Sequence, residues 1–532
     1  MQEAPYGSWR SPISAQMVAK AAVRLGHLAV DGDDLYWAEL RPAEGGRNVI
    51  VRRTPDGRTM EVNPAPFNAR TRVHEYGGGD FAVAAGMVYF ANYADQRLYC
   101  LDVNETHVRE TDIHETDANG TRVKATAQTS VDGAPPPRPI TAAGPLRYAD
   151  AVVDRPRQRL ICVREDHSVS GQQPQNTLVT IDLSRGPGGP DGAGQPDRQV
   201  RPGGTDGLAG PDGAGGTDRV AAPATAEASG AGTVLVSGHD FYAAPRLSPD
   251  GSRLAWLAWN HPNMPWDGTE LWVADVTPDG AIANPQRVAG GSQDDGQQDS
   301  IFQPAWSPDG RLYFVSDRTG WWNLYRWSGP GTTTAEALTH LEAEFGQPQW
   351  VFGTATYGFT GPDAVVCAYN VGGVWGLARL NATTRRLEPI EIPYTVIRDL
   401  RASPAGILLS AGSPTEPQSL VLLPPTAGEI KVLRRASELA IDPTSLSVPQ
   451  AVEFPTTGGQ TAHAFYYPPA SREFRAPSAE RPPLLVKSHG GPTSAATNTL
   501  SLDIQYWTSR GIAVLDVNYG GSTGYGRAYR QR

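Results

Sequence analysis

The sequence predicts a two-part fold, a β-propeller of about seven blades followed by the N-terminal part of an α/β-hydrolase domain. Three observations predict it. A pattern of two short β-rich runs joined by a turn recurs seven times between residues 31 and 425. Two of the copies follow the same Ser-Pro-Asp-Gly turn. Near the end of the chain, an apolar strand runs into a glycine turn and a second strand follows. At 532 residues the chain is too long for one core, so two or more domains are expected.

The elements follow in order. Residues 1–30 form an N-terminal segment, in which 11–25 read as a short amphipathic helix leading into the first blade. Met1-Gln2-Glu3-Ala4-Pro5 has neither a basic n-region nor an apolar h-region, so no signal peptide is expected. The propeller spans 31–430. Its paired runs are Leu35-Tyr36-Trp37 with Asn48-Val49-Ile50-Val51, Met87-Val88-Tyr89-Phe90 with Arg97-Leu98-Tyr99-Cys100-Leu101, and Leu160-Ile161-Cys162-Val163 with Leu178-Val179-Thr180-Ile181. They continue as Leu254-Ala255-Trp256-Leu257 with Leu271-Trp272-Val273, and Leu312-Tyr313-Phe314-Val315 with Leu324-Tyr325-Arg326-Trp327. The last are Ala364-Val365-Val366-Cys367 with Val374-Trp375-Gly376-Leu377, and Ile407-Leu408-Leu409 with Ser419-Leu420-Val421-Leu422.

Repeated hairpins indicate antiparallel sheets rather than βαβ units, and radial repetition is a standard way to protect their edges. In Ser248-Pro249-Asp250-Gly251 and Ser307-Pro308-Asp309-Gly310, Pro sets φ, Asp bonds its own backbone and Gly takes a positive φ. Two low-complexity insertions interrupt the pattern, near 104–140 and 184–232. The second is dominated by Gly, Pro, Asp and Ala and is too poor in apolar surface to offset its ordering entropy, so it is expected to be disordered.

The incomplete hydrolase domain spans 446–532. Leu484-Leu485-Val486 leads into His489-Gly490-Gly491-Pro492-Thr493, and the strand 511–519 leads into a glycine-rich turn. Acyl chemistry needs a nucleophile, a base, an orienting acid and donors for the developing oxyanion. Glycines after a strand let backbone N–H groups approach a substrate carbonyl, so His489, Gly490 and Gly491 are the candidate oxyanion and substrate-binding residues. Gly520-Gly521-Ser522-Thr523-Gly524 matches the G-x-S-x-G pattern, yet Gly524-Tyr525-Gly526 is poor helix material. Residues 523–532 contain no Asp, Glu or His, whereas hydrolase triads run Ser, then acid, then His. Ser522 is therefore read as a loop near the active-site mouth. A catalytic Ser, Asp and His are expected beyond Arg532.

Weaker candidates stand elsewhere. His74-Glu75-Tyr76-Gly77-Gly78-Gly79 pairs titratable groups with a turn, and a blade-connecting loop explains it. Glu342 and Glu344 are expected to face one side of a strand, as a solvated acidic edge or as a holder for a cationic amine. Trp321-Trp322 reads as blade packing. No His/Cys/Asp cluster has metal spacing and no phosphate-binding glycine loop precedes a helix, so neither metal nor cofactor is expected.

A net charge of −10 argues against nucleic acid or an anionic membrane as partner. Cys100, Cys162 and Cys367 are odd in number and widely spaced, which fits a reducing cytoplasm rather than a disulfide framework. No run of 18 apolar residues occurs.

These residues resemble the prolyl oligopeptidase family of serine peptidases, especially its bacterial dipeptidyl aminopeptidase and acylaminoacyl-peptidase-like branch. The similarity rests on Tyr6-Gly7-Ser8-Trp9, the stretch 70–79, Trp266-Asp267-Gly268-Thr269-Glu270-Leu271-Trp272 and the stretch 316–325. It is strongest at 489–493 and 518–526. The resemblance implies a propeller that screens access to a Ser-His-Asp site, admitting short peptides and excluding folded proteins. It also implies that Gly490 and Gly491 lie at the oxyanion hole. Related members place a Tyr at the position of His489 and use its hydroxyl there.

The family's nucleophile lies in a later elbow followed by Asp and His, so no triad residue carries over. The chain is therefore read as truncated before its triad, inactive alone, and prone to associate through unpaired strand edges. One competing reading is a non-catalytic propeller protein that binds peptides or a protein partner; another is an esterase or lipase. A separately encoded catalytic piece is a further possible partner. Dipeptidyl, acylaminoacyl and endopeptidase specificities all stay open.

Overall fold

The computed structural model describes residues 1–20, 22–104, 114–116, 122–124, 135–184, 230–292, 298–332, 334–425, 429–438 and 441–532. Most of the two expected insertions lies outside the described residues. Where the first is described, it is not wholly irregular. His114–Thr116 pairs with Arg122–Lys124, and Arg138–Pro139 adds an outer strand beside Tyr99 and Cys100, whose backbone edge accepts it.

Each of the seven sequence hairpins is an antiparallel pair, and each forms the middle of a larger sheet. The first sheet runs from Arg24–Asp31 to Thr59–Glu61, the second from Phe81–Ala84 to Arg138–Pro139, and the third from Leu146–Asp154 to Thr233–Val236. The fourth runs from Phe241–Leu247 to Gln298–Asp299, the fifth from Ile301–Trp306 to Ala335–Ala337, the sixth from Tyr357–Phe359 to Arg386–Ile390, and the seventh from Val396–Ser403 to Lys431–Arg435. Within each, chain neighbours are sheet neighbours. The Ser-Pro-Asp-Gly turns form as expected: Gly251 N–H donates to Ser248 O and Gly310 N–H to Ser307 O, with φ of 68° and 80° at the glycines.

The first strands of successive sheets touch one another, the fifth and sixth through Gln303 Nε2 on Tyr357 O, and that of the first sheet also touches that of the seventh, so the sheets close in a circle as a β-propeller requires. These inner strands carry β-bulges. His27, Asp150, Ala244 and Gln303 sit at the register breaks with φ between 31° and 52°, and the seventh sheet breaks register between Ile397 and Asp399. Apolar cores fill the wedges between adjoining sheets. One of them, with Leu25, Leu28, Trp37 and Val49 against Leu408 and Leu420, seals the seam between first and seventh. Among the described residues no strand is shared across that seam. It is held by Val23 N–H on Ala436 O at 3.1 Å, Leu28 N–H on Asp399 Oδ2 at 3.2 Å, Gln418 Nε2 on Leu25 O at 3.0 Å, and Arg434 Nε on Glu39 Oε1 at 3.0 Å.

The eighth large sheet is mixed, with strands in the order Gln450–Pro455, Thr461–Tyr467, Ala513–Asn518, Leu484–Ser488. Leu484–Ser488 runs parallel to Ala513–Asn518, and the helix Leu502–Thr508 lies on the crossover between them. It is an edge strand, and Leu484 and Val486 are 53% and 62% exposed. The helix expected over 11–25 is confined to Ala15–Ala19, capped by Ser14. Arg24 already opens the first sheet, because Leu25 and Leu28 have a core to enter there. The N-terminal segment packs on the mixed-sheet side instead: Gln2–Glu3 pairs with Phe474–Arg475, and Arg510 Nη2 donates to Ile13 O.

Candidate functional site

The parallel strand Leu484–Ser488 delivers His489, Gly490 and Gly491 to the end of the mixed sheet. Gly491 has a φ of 144°, and a Cβ there would meet Thr493 N at 2.9 Å, so the backbone requires glycine. Gly490 is exposed, and neither glycine's N–H donates to a protein acceptor among the described residues. Two adjacent free N–H groups after a strand have the character of anion donors.

His489 stacks on Tyr519 (centroids 4.6 Å apart, planes at 18°), whose hydroxyl donates to His489 O at 2.9 Å. Its Nδ1 lies 2.9 Å from Gly490 O and its Nε2 2.8 Å from Ser522 Oγ. A carbonyl only accepts, so the proton belongs on Nδ1 and Nε2 receives the Ser522 hydroxyl. This is the tautomer of a serine–base pair, but a backbone carbonyl stands where an orienting acid would be. Asp516, buried on the neighbouring strand, has its pKa raised by burial, opposed by Lys487 and His489, and makes no hydrogen bond to the imidazole. Ser522 itself is wholly buried, and no helix follows it until Arg527–Arg530.

The stretch after Ser522 docks on the propeller. Gly526 N–H donates to Glu344 Oε1, Arg527 N–H to Gly320 O, and Arg527 Nη2 to Asp267 O. Asp317 Oδ2, with no exposed side-chain surface, accepts from Arg527 Nη1 at 2.6 Å and from Arg530 Nη2. The Arg530 guanidinium lies 4.2 Å over the Trp322 ring. The motifs around Trp266 and Asp317 thus converge on the boundary with the mixed sheet. Arg527 and Arg530 carried no sequence signal, being two basic residues in one turn.

Glu342 and Glu344 do not share a strand face. Glu342 is exposed in a bend, whereas Glu344 is buried and accepts from Trp322 N–H and Gly526 N–H through its two oxygens. Burial pushes its carboxyl up to about 7. His74 lies in the connection between the first and second sheets, as expected of a loop. Its ring sits among Phe241, Trp259 and Phe352 with Nε2 3.2 Å from Asn176 Oδ1, and burial lowers its pKa to about 4. It is neutral and serves packing. Among the described residues no group of His, Cys, Asp and Glu is placed to hold a metal, the three cysteines are buried and free, and no helix is long and apolar enough to cross a membrane.

A propeller joined to a mixed sheet with glycine donors after its parallel strand defines a class of peptidases, and the comparisons agree. The chain belongs to the prolyl oligopeptidase family of serine peptidases. It is 36% identical to a Mycobacterium tuberculosis puromycin-hydrolysing peptidase, with a TM-score of 0.80 over 100% of this chain and 72% of that one. A puromycin hydrolase solved in complex with PGG is 34% identical, with a TM-score of 0.79 over the same shares. A prolyl endopeptidase, 12% identical with a TM-score of 0.64 over 98% of this chain and 66% of that one, shares the fold. The uncharacterised peptidase YuxL of Bacillus subtilis (strain 168) is 27% identical over 143 residues, 26% of this chain and 21% of that protein. No family model matches the chain.

Proposed function

We propose that the seven circularly arranged sheets are seven blades of a propeller over 31–430, that 1–30 is an N-terminal segment, and that 446–532 is the N-terminal part of an α/β-hydrolase domain. The protein is a serine-type peptidase for short peptides, with the propeller filtering access to the site. The observation that carries this reading is the pair of N–H groups at Gly490 and Gly491, which donate to no protein acceptor among the described residues. They would hold a substrate carbonyl oxygen more tightly as it gains negative charge in the tetrahedral state. The binding of PGG by a puromycin hydrolase supports a short peptide as ligand. The buried, unpaired cysteines suit a reducing compartment, and we place the protein in the cytoplasm.

The burial of Ser522 and the carbonyl on His489 Nδ1 favour a second statement: these 532 residues alone bind peptide without turning it over. A triad contributed by further residues, in this polypeptide or a separately encoded piece, completes the chemistry. The test is to incubate the purified 532-residue chain with aminoacyl 4-nitroanilides and a fluorophosphonate probe, and to titrate it with Pro-Gly-Gly. Peptide binding without turnover or labelling is expected. Turnover abolished by Ser522→Ala would overturn the silent-site statement. Absence of peptide binding, with no labelling of the protein in its native source, would overturn the peptidase reading and leave a propeller that engages some other partner.

A further inference from the structure

Between the propeller and the mixed sheet lies a cavity of about 190 Å³. Gln347, Trp350, Trp375 and Arg398 line it on the propeller side. On the other side stand residues 493–497, directly after the glycine donors, and Thr523 with Gly524, directly after Ser522. The cavity thus abuts the candidate site. It is smaller than the roughly 300–1,000 Å³ of a pocket that encloses a drug-sized ligand, so it suits the end of a peptide rather than its length.

Arg398 is the distinctive group in it. It occupies the bulge of the innermost strand of the seventh sheet, where register breaks between Ile397 and Asp399. Its backbone carbonyl accepts from Gln347 Nε2, but its guanidinium makes no hydrogen bond or ion pair among the described residues. The side chain is exposed and forms part of the cavity wall, and the protein packed around it pulls its pKa down.

Two neighbouring acids, one beside it in the chain and one in the same cavity wall, are spoken for. Asp399 accepts from Leu28 N–H, Ala355 N–H and Arg401 Nη1. Glu344 lines the same cavity, but both its oxygens are taken by backbone donors. An unpaired guanidinium in a cavity wall keeps its planar fork of donors free, and that fork fits a carboxylate with two parallel bonds.

We propose that Arg398 anchors the free C-terminal carboxylate of the bound peptide, so that the cavity selects short peptides by their end. This rests on the peptide-binding reading above. An internal peptide segment presents only neutral carbonyls there and leaves the charge unmatched, which restricts the site to chains whose terminus reaches the cavity.

The test compares binding of Pro-Gly-Gly and Pro-Gly-Gly amide to the 532-residue chain by calorimetry. The free acid is expected to bind about tenfold or more tightly, as befits a charge-assisted pair. Arg398→Met should erase the preference and Arg398→Lys should restore part of it, with thermal unfolding confirming that each variant is folded. Equal affinity for acid and amide in the unaltered chain would overturn the anchor and leave the peptide site standing. A preference that survives in folded Arg398→Met would do the same. If neither peptide binds, the anchor and the peptide-binding reading fall together.

Discussion

At Glu344, the N–H groups of Trp322 and Gly526 converge on a carboxyl with almost no exposed surface, and its pKa stands at about 7. The folded protein therefore keeps a proton that the unfolded chain has lost, between the ordinary carboxylate value of about 4.3 and that higher one. The stability this contributes is full below the ordinary value and is lost as pH rises through about 7. Glu344→Gln removes the titration. Between pH 5 and pH 8 the wild type should lose up to about 3 kcal/mol relative to the variant, read as the difference of two denaturant-melt series. Parallel pH dependences would show that the carboxyl does not titrate in that window. Sequence reasoning reached this residue but not its role. It took Glu342 and Glu344 as alternating strand positions, and nothing in Leu341-Glu342-Ala343-Glu344 announces that one glutamate will be capped by backbone from 182 residues away. The glycines after Leu484–Ser488 were legible because their constraint is local, a strand followed by backbone that only Gly adopts.

Two elements make the mixed sheet depend on what surrounds it. The short helix Arg527–Arg530 is held by Asp317, and removing that carboxylate leaves Arg530, only 2% exposed, without its ion-pair partner. Asp317→Asn should cost about 3–5 kcal/mol of local stability and expose Arg527 and Arg530 to trypsin. A digestion rate equal to that of the wild type would place the clamp elsewhere. The edge strand Leu484–Ser488 offers an unpaired backbone edge with Leu484 and Val486 outward. Val486→Lys is expected to lower concentration-dependent light scattering at unchanged melting temperature; unaltered scattering would clear this edge of the association expected from the sequence. The sheets themselves were half legible. The middle strands announced themselves as dense β-branched and aromatic runs buried on both faces. The inner strands did not, since the bulges at His27, Asp150, Ala244 and Gln303 break the two-residue alternation. The outer strands, such as Thr59–Glu61 and Ala335–Ala337, were too short and too polar to stand out.

At the scale of the whole molecule, the circle of sheets is closed by contact and not by a shared strand, so one seam differs from the other junctions. Elsewhere the chain itself links neighbouring sheets. Between the first and seventh, cohesion rests on the Leu25–Leu28–Leu408–Leu420 wedge, on the backbone bond from Val23 N–H to Ala436 O, and on three side-chain hydrogen bonds, of which that of Asp399 is the joint. Asp399 binds the N–H of Leu28 across the seam and that of Ala355 ahead of the sixth sheet, while Arg401 neutralises it. Repetition in sequence predicts such a circle, but it cannot say which junction is weakest, because the closing contacts join residues about as far apart as the propeller is long. Asp399→Ala strands two buried N–H groups and the Arg401 charge, a loss of about 2–4 kcal/mol. Hydrogen exchange should then quicken at residues 25–30 and 396–403 while Arg253–Trp259, on the far side of the circle, keeps its protection. Faster exchange in all seven sheets alike would mean that the circle opens as one cooperative unit, and the seam would have no separate stability to lose.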